Sequence, residues 1–488
     1  MTRRSAEIDA LGNVPKGLLI DGQWRGSSDG RVFVVSDPSN EEPLAQVADA
    51  TVADGHAALA AAARSQTSWA AMPPRERGEL LRAAYELITL RAEHFAMLMT
   101  LEMGKPLAES RAELTYGAEF FRWFSEEAVR VAGRWSPAPN GATRLLTMKH
   151  PVGPTLMITP WNFPLAMGTR KIGAAIAAGC TMVVKPAHET PLTMLALADL
   201  LQEVGVPAGV LNVIPTSRAA AVCEPLLRDP RTRKLTFTGS TAVGRLLVEQ
   251  SAHQLLRVSM ELGGNAPFIV FDDANLDAAV DGAMLAKMRN NGEACTAANR
   301  FLVHESLTDQ FARRLADRMQ ALVVGRGTDP DTDVGPLIDQ KALTKVSHLV
   351  DDAVAKGATL HCGGKPVGER GYFFAPTVLT GVPQEAAIEG EEIFGPVAPV
   401  TSFKTEDEVV QRANGTPYGL AAYLYTRDVT RAFRVAEALE FGMVGINQGV
   451  VSNPAAPFGG VKASGFGREG GVEGIEEYLE TKYVGLAL

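Results

Sequence analysis

Apolar and polar positions change rhythm along this chain. Over residues 75–99, Leu80, Leu81, Ala84, Leu87, Ile88 and Phe95 recur at helical spacing, which predicts one amphipathic helix packed by a single face. From residue 155 short apolar, β-rich runs take over at 155–159, 181–184, 210–214 and 235–238. Between them lie Ala/Leu-rich stretches of helical periodicity, such as Leu192–Glu203. Strands alternating with helices predict βαβ units and a mostly parallel sheet. Its strands, covered on both faces, read as continuous apolar runs. Ligands of doubly wound sheets bind beyond the carboxyl ends of the strands, so the residues after each run carry the interest. A second α/β pattern follows Gly263-Gly264: a strand at 267–271, a helix at Leu276–Met288, and strands at 301–304, Val397–Phe403, 420–425 and Met443–Ile446. This places a domain boundary near residue 263. Residues 144–150 and 477–488 read as extended segments that could not fold alone, so each needs a partner strand, such as one from another subunit.

Length and composition narrow the classes. With 488 residues and about 150 per domain, two to four domains are expected. A content of 46% hydrophobic and 21% charged residues excludes wholesale disorder and fibrous repeats. Acidic residues outnumber basic ones 56 to 47, a net charge of −9, and no segment is a dense Lys/Arg run. Nucleic-acid binding is therefore not expected, because neutralising phosphates needs clustered positive charge. Charge-free runs at 151–169 and 441–461 are long enough to cross a bilayer. The first carries Pro151, Pro154, Pro160 and Pro164; the second carries Asn447, Asn453, Pro454, Pro457 and five glycines. Such backbones could not satisfy their own polar groups in lipid, so they read as buried loops and no membrane partner is expected. Residues 1–13 have no apolar h-region, and no secretory signal is expected. The four cysteines, Cys180, Cys223, Cys295 and Cys362, have no metal-type spacing. Neither a disulfide framework nor a metal site is expected, and a reducing, cytoplasmic setting follows.

Several strand ends carry chemistry. The run at 155–159 leads into Pro160-Trp161-Asn162-Phe163-Pro164. This is either a structural turn or a rigid amide donor of the kind an oxyanion hole needs. Lys185, after 181–184, is either solvated or placed to hold a ribose or phosphate. The run at 235–238 enters Gly239-Ser240-Thr241-Ala242-Val243-Gly244 and then a helix, where Ser240 can cap the helix and meet a phosphate. That Gly-x-x-x-x-Gly turn alone is a weak dinucleotide signal. Glu261, before Gly263-Gly264, reads as a partly desolvated general base or as an interdomain ion pair. Cys295 lies in the polar segment Asn290-Asn291-Gly292-Glu293-Ala294-Cys295 with no packed apolar face around it, which makes it the candidate thiolate nucleophile. Cys180 and Cys223 sit among Ala, Val and Leu and read as core residues, and Cys362 lacks further ligands. Arg170 and Arg289 are either surface charges or, if Asn162 and Cys295 converge, two guanidinium groups suited to a substrate carboxylate.

Taken in order, these segments resemble the aldehyde dehydrogenase superfamily along nearly the whole chain. The residues that carry the likeness are Thr159-Pro160-Trp161-Asn162-Phe163-Pro164, Lys185-Pro186, Phe237-Thr238-Gly239-Ser240, Glu261-Leu262-Gly263-Gly264, the Cys295 segment, Glu391-Glu392-Ile393-Phe394-Gly395-Pro396 and Pro457-Phe458-Gly459-Gly460. The resemblance implies an α/β protein in three parts. These are a Rossmann-like dinucleotide-binding domain (1–132 and 152–262), a catalytic domain (263–463) and a small β oligomerisation element (133–151 and 464–488). It implies a homo-oligomer, dimer or tetramer. It assigns the nucleophile to Cys295, the oxyanion hole to Asn162 with the Cys295 backbone N–H, and water activation to Glu261. Lys185 and Glu392 would hold the cofactor riboses, Ser240 the pyrophosphate and Phe394 the nicotinamide end. Thr159, Pro160, Trp161, His188 and Gly239 would line the cofactor, and Asn447 the active site.

Within that superfamily the likeness is greatest to succinate-semialdehyde dehydrogenases, which hold the distal carboxylate with two arginines and a serine. Arg170, Arg289 and Ser452 match those positions. The implied reaction is NAD(P)-dependent oxidation of succinate semialdehyde to succinate through a cysteine thioester. Glutarate semialdehyde or a sulfonated aldehyde would meet the same two guanidinium groups. A CoA-acylating dehydrogenase and a dinucleotide-binding scaffold are the alternatives, and Glu261 together with Cys295 and Asn162 argues against both. Two positions depart from the family pattern. Ala297 stands where many relatives carry a second cysteine, so no local redox disulfide is expected. His188 stands where NAD-preferring relatives carry Glu, with Glu189 one place later. Losing that carboxylate removes a repulsion against a 2′-phosphate, so NADP is expected, with NAD also accepted.

Overall fold

The rhythm of short apolar runs resolves into two sheets in the computed structural model, which describes residues 3–487. Met1, Thr2 and Leu488, the outermost residues of the expected division, lie outside the described residues. In the first sheet Arg257–Glu261, Lys234–Thr238, Thr155–Ile158, Met182–Lys185 and Leu211–Val213 run parallel in that spatial order. Leu18–Ile20 and Gln23–Arg25 extend one edge antiparallel, and Gly465–Phe466 the other. Successive residues of the central strands enter different apolar clusters. Met157 and Val184 pack with Ile172 and Leu197, whereas Leu156, Ile158 and Val183 pack with Leu226 and Leu247. Both faces are thus covered, which is why the strands lack a polar alternation.

The chain leaves this sheet at Glu261 and enters the second at Ala266. The second sheet has the order Thr359–Cys362, Thr377–Thr380, Val397–Phe403, Ala298–His304, Ala266–Val270, Ala421–Tyr425 and Met443–Ile446, and only its first pair is antiparallel. No described helix is long and apolar enough to cross a membrane.

The structure departs from the sequence expectations in three places. The helix expected over 75–99 is two helices, Pro74–Leu90 and Ala92–Met103, broken at Arg91 with φ −99° and ψ 25°. These angles stay close enough to helical that the apolar phase carries across the break, and periodicity cannot register it. The two extended segments expected to pair with something, such as another subunit, find that partner within the chain: Thr143–Pro151 lies antiparallel to Leu479–Ala487, and Arg134–Pro137 lies along its other side. Residues 477–478 of the expected tail are not part of that strand. Gly465–Phe466 fell in the expected oligomerisation element, yet it hydrogen-bonds to Arg257–Glu261. The cause is local: Gly465 has φ +108°, and a Cβ there would collide with the Met260 carbonyl.

Candidate active site

Pairing between neighbouring strands continues past their carboxyl ends. The Thr159 N–H donates to the Lys185 carbonyl at 3.2 Å, and the Gly239 N–H to the Glu261 carbonyl at 3.0 Å. Thr159, Lys185, Gly239 and Glu261 therefore share one edge of the first sheet. Beyond Thr159 and Pro160, the Trp161 ring meets Phe394 edge-on with centroids 5.4 Å apart. Phe394 has φ +56°, a conformation costly for a bulky side chain and frequent at functional sites. The Lys185 residue is 6% exposed, and no hydrogen bond of its ammonium is found among the described residues. Its burial draws the ammonium below its ordinary basicity. Ser240 caps the helix Thr241–Ser251, its hydroxyl accepting from the Val243 N–H at 3.4 Å. The Thr238 hydroxyl beside it is buried without a partner. Glu392 accepts from the Gly264 N–H at 3.0 Å. Its burial lifts the carboxyl to about 7, against the pull of that N–H, Lys345 and Lys287. A Cβ on Gly263 would sit 2.6 Å from a Glu392 oxygen, so a side chain there would push the carboxylate from this position.

An unpaired cation, a positive helix end, a partnerless hydroxyl and a carboxylate on one sheet edge fit a dinucleotide. The helix end suits phosphates, and Lys185 and Glu392 suit hydroxyls. His188 lies at the rim, its side chain about half exposed, with Nδ1 3.1 Å from a Glu189 oxygen. That hydrogen bond raises the imidazole's basicity against a smaller effect of burial.

Cys295 lines a narrow cavity together with Arg170, Arg289, Ser452, Tyr116 and Phe458. Three left-handed residues lead to it, Asn290, Asn291 and Gly292. At Gly292 a Cβ would collide with the Gly395 carbonyl, and at Gly264 one would lie 2.6 Å from the Cys295 carbonyl. The Cys295 segment is thus pressed between the Glu392 loop and the turn after Glu261.

One expectation for Cys295, its surroundings, is corrected. The residue packs against the apolar core of the second sheet rather than standing in a purely polar segment. Its burial pushes the thiol up to about 12, assisted by Glu392 and Glu261 and opposed by Arg170 and Arg289. Ionisation of the sulfur is thus opposed by burial and favoured by the two guanidinium groups beside it. Cys180 and Cys223 are buried in apolar clusters, as their apolar settings predict, whereas Cys362, expected in a loop, is buried at the end of the strand Thr359–Cys362.

Asn162 is held at both ends. Its Nδ2 donates to the Glu293 carbonyl at 3.0 Å, and its backbone carbonyl accepts from Asn290 Nδ2 at 3.0 Å and Lys105 Nζ at 2.8 Å. Glu293 is two residues from Cys295, so the amide and the thiol are brought together. Glu261 is 2% exposed and neither carboxylate oxygen has a hydrogen-bond partner. Its side chain forms no ion pair among the described residues, which sets aside the interdomain salt bridge. Burial, and then the charge of Glu469, hold it well above the usual carboxylate range, against Arg170 and Lys171.

The two arginines of the sequence reading differ. Arg170 is wholly buried, ion-paired to Glu469 and stacked over Phe458 at 4.3 Å. Its terminal nitrogens, Nη1 and Nη2, have no hydrogen-bond partner. Arg289 lies over Phe163 at 5.1 Å and Tyr116 at 5.6 Å, and no carboxylate pairs with it among the described residues. The buried Tyr116 hydroxyl also lacks a partner.

Sequence reasoning missed Glu469, Lys171 and Tyr116. A signal existed for the first two: Arg170 and Lys171 are adjacent cations in the Ala/Gly/Ile-rich helix Ala166–Ala178, all of whose residues are buried, and such a pair requires a buried anion. Asn447 is a correction. Its carboxamide exchanges hydrogen bonds with the Thr426 backbone, at 2.9 and 3.1 Å. It lines a separate cavity with Asn275, Tyr425 and Phe433. The charge-free run does border the site, but through Ser452 and Phe458.

The sequence model of the aldehyde dehydrogenase family matches residues 24–484. Succinate-semialdehyde dehydrogenase of Paenarthrobacter nicotinovorans is 60% identical over 444 residues, covering 91% of this chain and 99% of that protein. Glutarate-semialdehyde dehydrogenase of Pseudomonas putida KT2440 is 50% identical over 465 residues, covering 95% and 96%. A crystal structure described as an Escherichia coli NADP dependent enzyme superposes with a TM-score of 0.96 at 50% identity, covering 97% of this chain and 98% of the other.

Proposed function

Because the chain belongs to the aldehyde dehydrogenase family, we propose that it oxidises an anionic aldehyde with NADP or NAD, and that succinate semialdehyde is its substrate. The observation that carries this reading is the Arg289 guanidinium in the Cys295 cavity, with the Arg170 guanidinium beside it. Among the described residues no carboxylate pairs with Arg289, and the terminal nitrogens of Arg170 are buried without a hydrogen-bond acceptor. Buried guanidinium donors left open demand an anionic partner, and a carboxylate fits their fork. Ser452 and the Tyr116 hydroxyl add donors at the same end.

The chemistry follows from positions. The Cys295 thiol passes its proton to Glu261, which releases it to solvent, and the sulfur adds to the aldehyde carbon as the carbonyl π pair moves onto oxygen. The free N–H of Asn162 and the Cys295 backbone N–H receive the resulting oxyanion, a fixed pair of donors that need not reorganise. Lys185, Ser240, Glu392 and the Trp161–Phe394 pair would hold an oxidised dinucleotide, which when bound would accept the hydride lost from the aldehyde carbon. The thioester that remains on Cys295 is hydrolysed by water from which Glu261 takes a proton. The acid departs and the thiol is restored. The raised basicity of Glu261 strengthens it as the base in both proton removals.

NADP is the preferred form, because position 188 holds an imidazole in place of a carboxylate and Glu189 is engaged by that imidazole. The protein assembles as a homo-oligomer through the three-stranded sheet. The far sides of Arg134–Pro137 and Leu479–Ala487 keep unpaired edges, and Trp135, Tyr483 and Leu486 are exposed there. Four free cysteines suit the reducing cytoplasm.

A kinetic panel tests the reading: succinate semialdehyde, glutarate semialdehyde and neutral aldehydes of matched length, each with NADP and NAD. The highest kcat/KM is expected for succinate semialdehyde with NADP. Equal rates with neutral aldehydes would refute it.

A further inference from the structure

The turn that carries Asn162 rests on a buried ion pair that the reaction does not touch. Lys105 and Glu113 are both fully buried and paired. Each of the other contacts of the Lys105 ammonium is to the Asn162 turn. It donates to the Asn162 carbonyl at 2.8 Å and lies 4.4 Å over the Phe163 ring. Glu113 uses its second oxygen on the same segment, accepting from the Leu165 and Ala166 N–H groups at 2.9 and 3.0 Å. The pair thus grips the five residues 162–166 at both ends. Asn290 completes the arrangement, its Nδ2 donating to the Asn162 carbonyl and to the Glu293 carbonyl, at 3.0 and 2.9 Å. The Glu293 carbonyl in turn receives the Asn162 side chain.

A buried ion pair is a poor device for stability, since apolar side chains of similar volume serve as well or better. What such a pair does supply is a fixed geometry. Here the geometry is that of an amide whose backbone and side chain are both tied to the Cys295 segment. An oxyanion donor works only when it is already aimed at the developing charge, and a shift of about 1 Å can cost about a hundredfold in rate.

We propose that Lys105 and Glu113 are positioning residues for Asn162, holding its free N–H on the spot where the oxyanion at Cys295 forms. This inference rests on the role given above to Asn162. The test is a double-mutant cycle on the full-length enzyme with succinate semialdehyde and NADP. Asn162→Ala alone should lower kcat about 100-fold or more, the loss expected for one oxyanion donor; if kcat is kept, the role of Asn162 fails, and this inference with it. Lys105→Met combined with Glu113→Gln leaves no buried charge unpaired and keeps an acceptor for the Leu165 and Ala166 N–H groups. In the Asn162 background of the natural protein it should lower kcat about 10- to 100-fold, with KM for both substrates and the thermal midpoint nearly unchanged. In the Asn162→Ala background the same change should cost less than about twofold, because nothing remains to be aimed. Equal losses in both backgrounds, or an unchanged kcat in the first, would overturn the proposal. Should that double variant not fold, Lys105→Arg, which keeps the charge but moves the donor, must show the same non-additive loss of kcat.

Discussion

Replacing Arg289 and Arg170 separately should give different kinetic signatures, because the structure gives the two guanidinium groups different partners. Arg289 is half-buried and faces only aromatic rings and the cavity. Arg289→Met should therefore remove attraction for a distal carboxylate and little else. Truncating one side of a buried charge pair costs about 2–5 kcal/mol. Partial exposure puts Arg289 toward the lower end, about 2–3 kcal/mol, or about 30- to 150-fold in kcat/KM. That loss should fall mainly on KM for succinate semialdehyde, with neutral aldehydes of the same length changed less than about threefold. Arg170→Met is another matter. It strips Glu469 of its nearest guanidinium in a fully buried site, beside a Glu261 whose basicity is already raised by the Glu469 charge. Breaking such a pair costs about 3–5 kcal/mol, so stability should fall and neutral and anionic aldehydes should both turn over more slowly. The assay is the NADPH absorbance at matched enzyme concentration, with thermal midpoints measured in parallel. If Arg289→Met slows neutral and anionic aldehydes by the same factor, the carboxylate clamp is wrong.

Cys295→Ala should still bind NADP, seen as a ligand-induced rise in thermal midpoint, yet trap no thioester on denaturation; a labelled acyl adduct on this variant would contradict the assignment. The pH profile follows from two directions: Cys295 and Glu261 act deprotonated, and burial raises both. Activity should therefore be low at weakly acidic pH and climb through the neutral and alkaline range, and a profile that falls over that range would show the proton bookkeeping to be wrong. Glu261→Gln should keep a pre-steady-state burst of NADPH and lose steady turnover as the thioester accumulates; loss of the burst itself would place Glu261 elsewhere in the mechanism. His188→Glu should shift the ratio of kcat/KM values toward NAD by restoring a carboxylate at that position, and an unchanged ratio would remove His188 from cofactor choice.

Much of this was legible along the chain. The helices Leu192–Glu203 and Leu276–Met288 and the strands Val397–Phe403 and Met443–Ile446 have the bounds read from sequence, because their periodicity and flanking glycines or prolines are local signals. The strand ends announced Asn162, Lys185, Ser240 and Glu261, since parallel strands present their carboxyl ends to one side whatever the loops between them do. Tertiary structure alone decided the electrostatics. The burial that opposes ionisation of Cys295, the lack of a hydrogen-bond partner for Glu261, and the pairing of Arg170 with Glu469 while no described carboxylate meets Arg289 are consequences of which residues meet across 298 or more positions of chain, or across a core face. Asn447 shows the same limit from the other side: its loop was found, but the direction of its carboxamide depends on a hydrogen-bond partner, Thr426, that no pattern in the sequence marks. Periodicity encodes how a segment buries its own apolar face. Charge state and pairing depend on desolvation and on partners brought from elsewhere, and those exist only once the chain has folded.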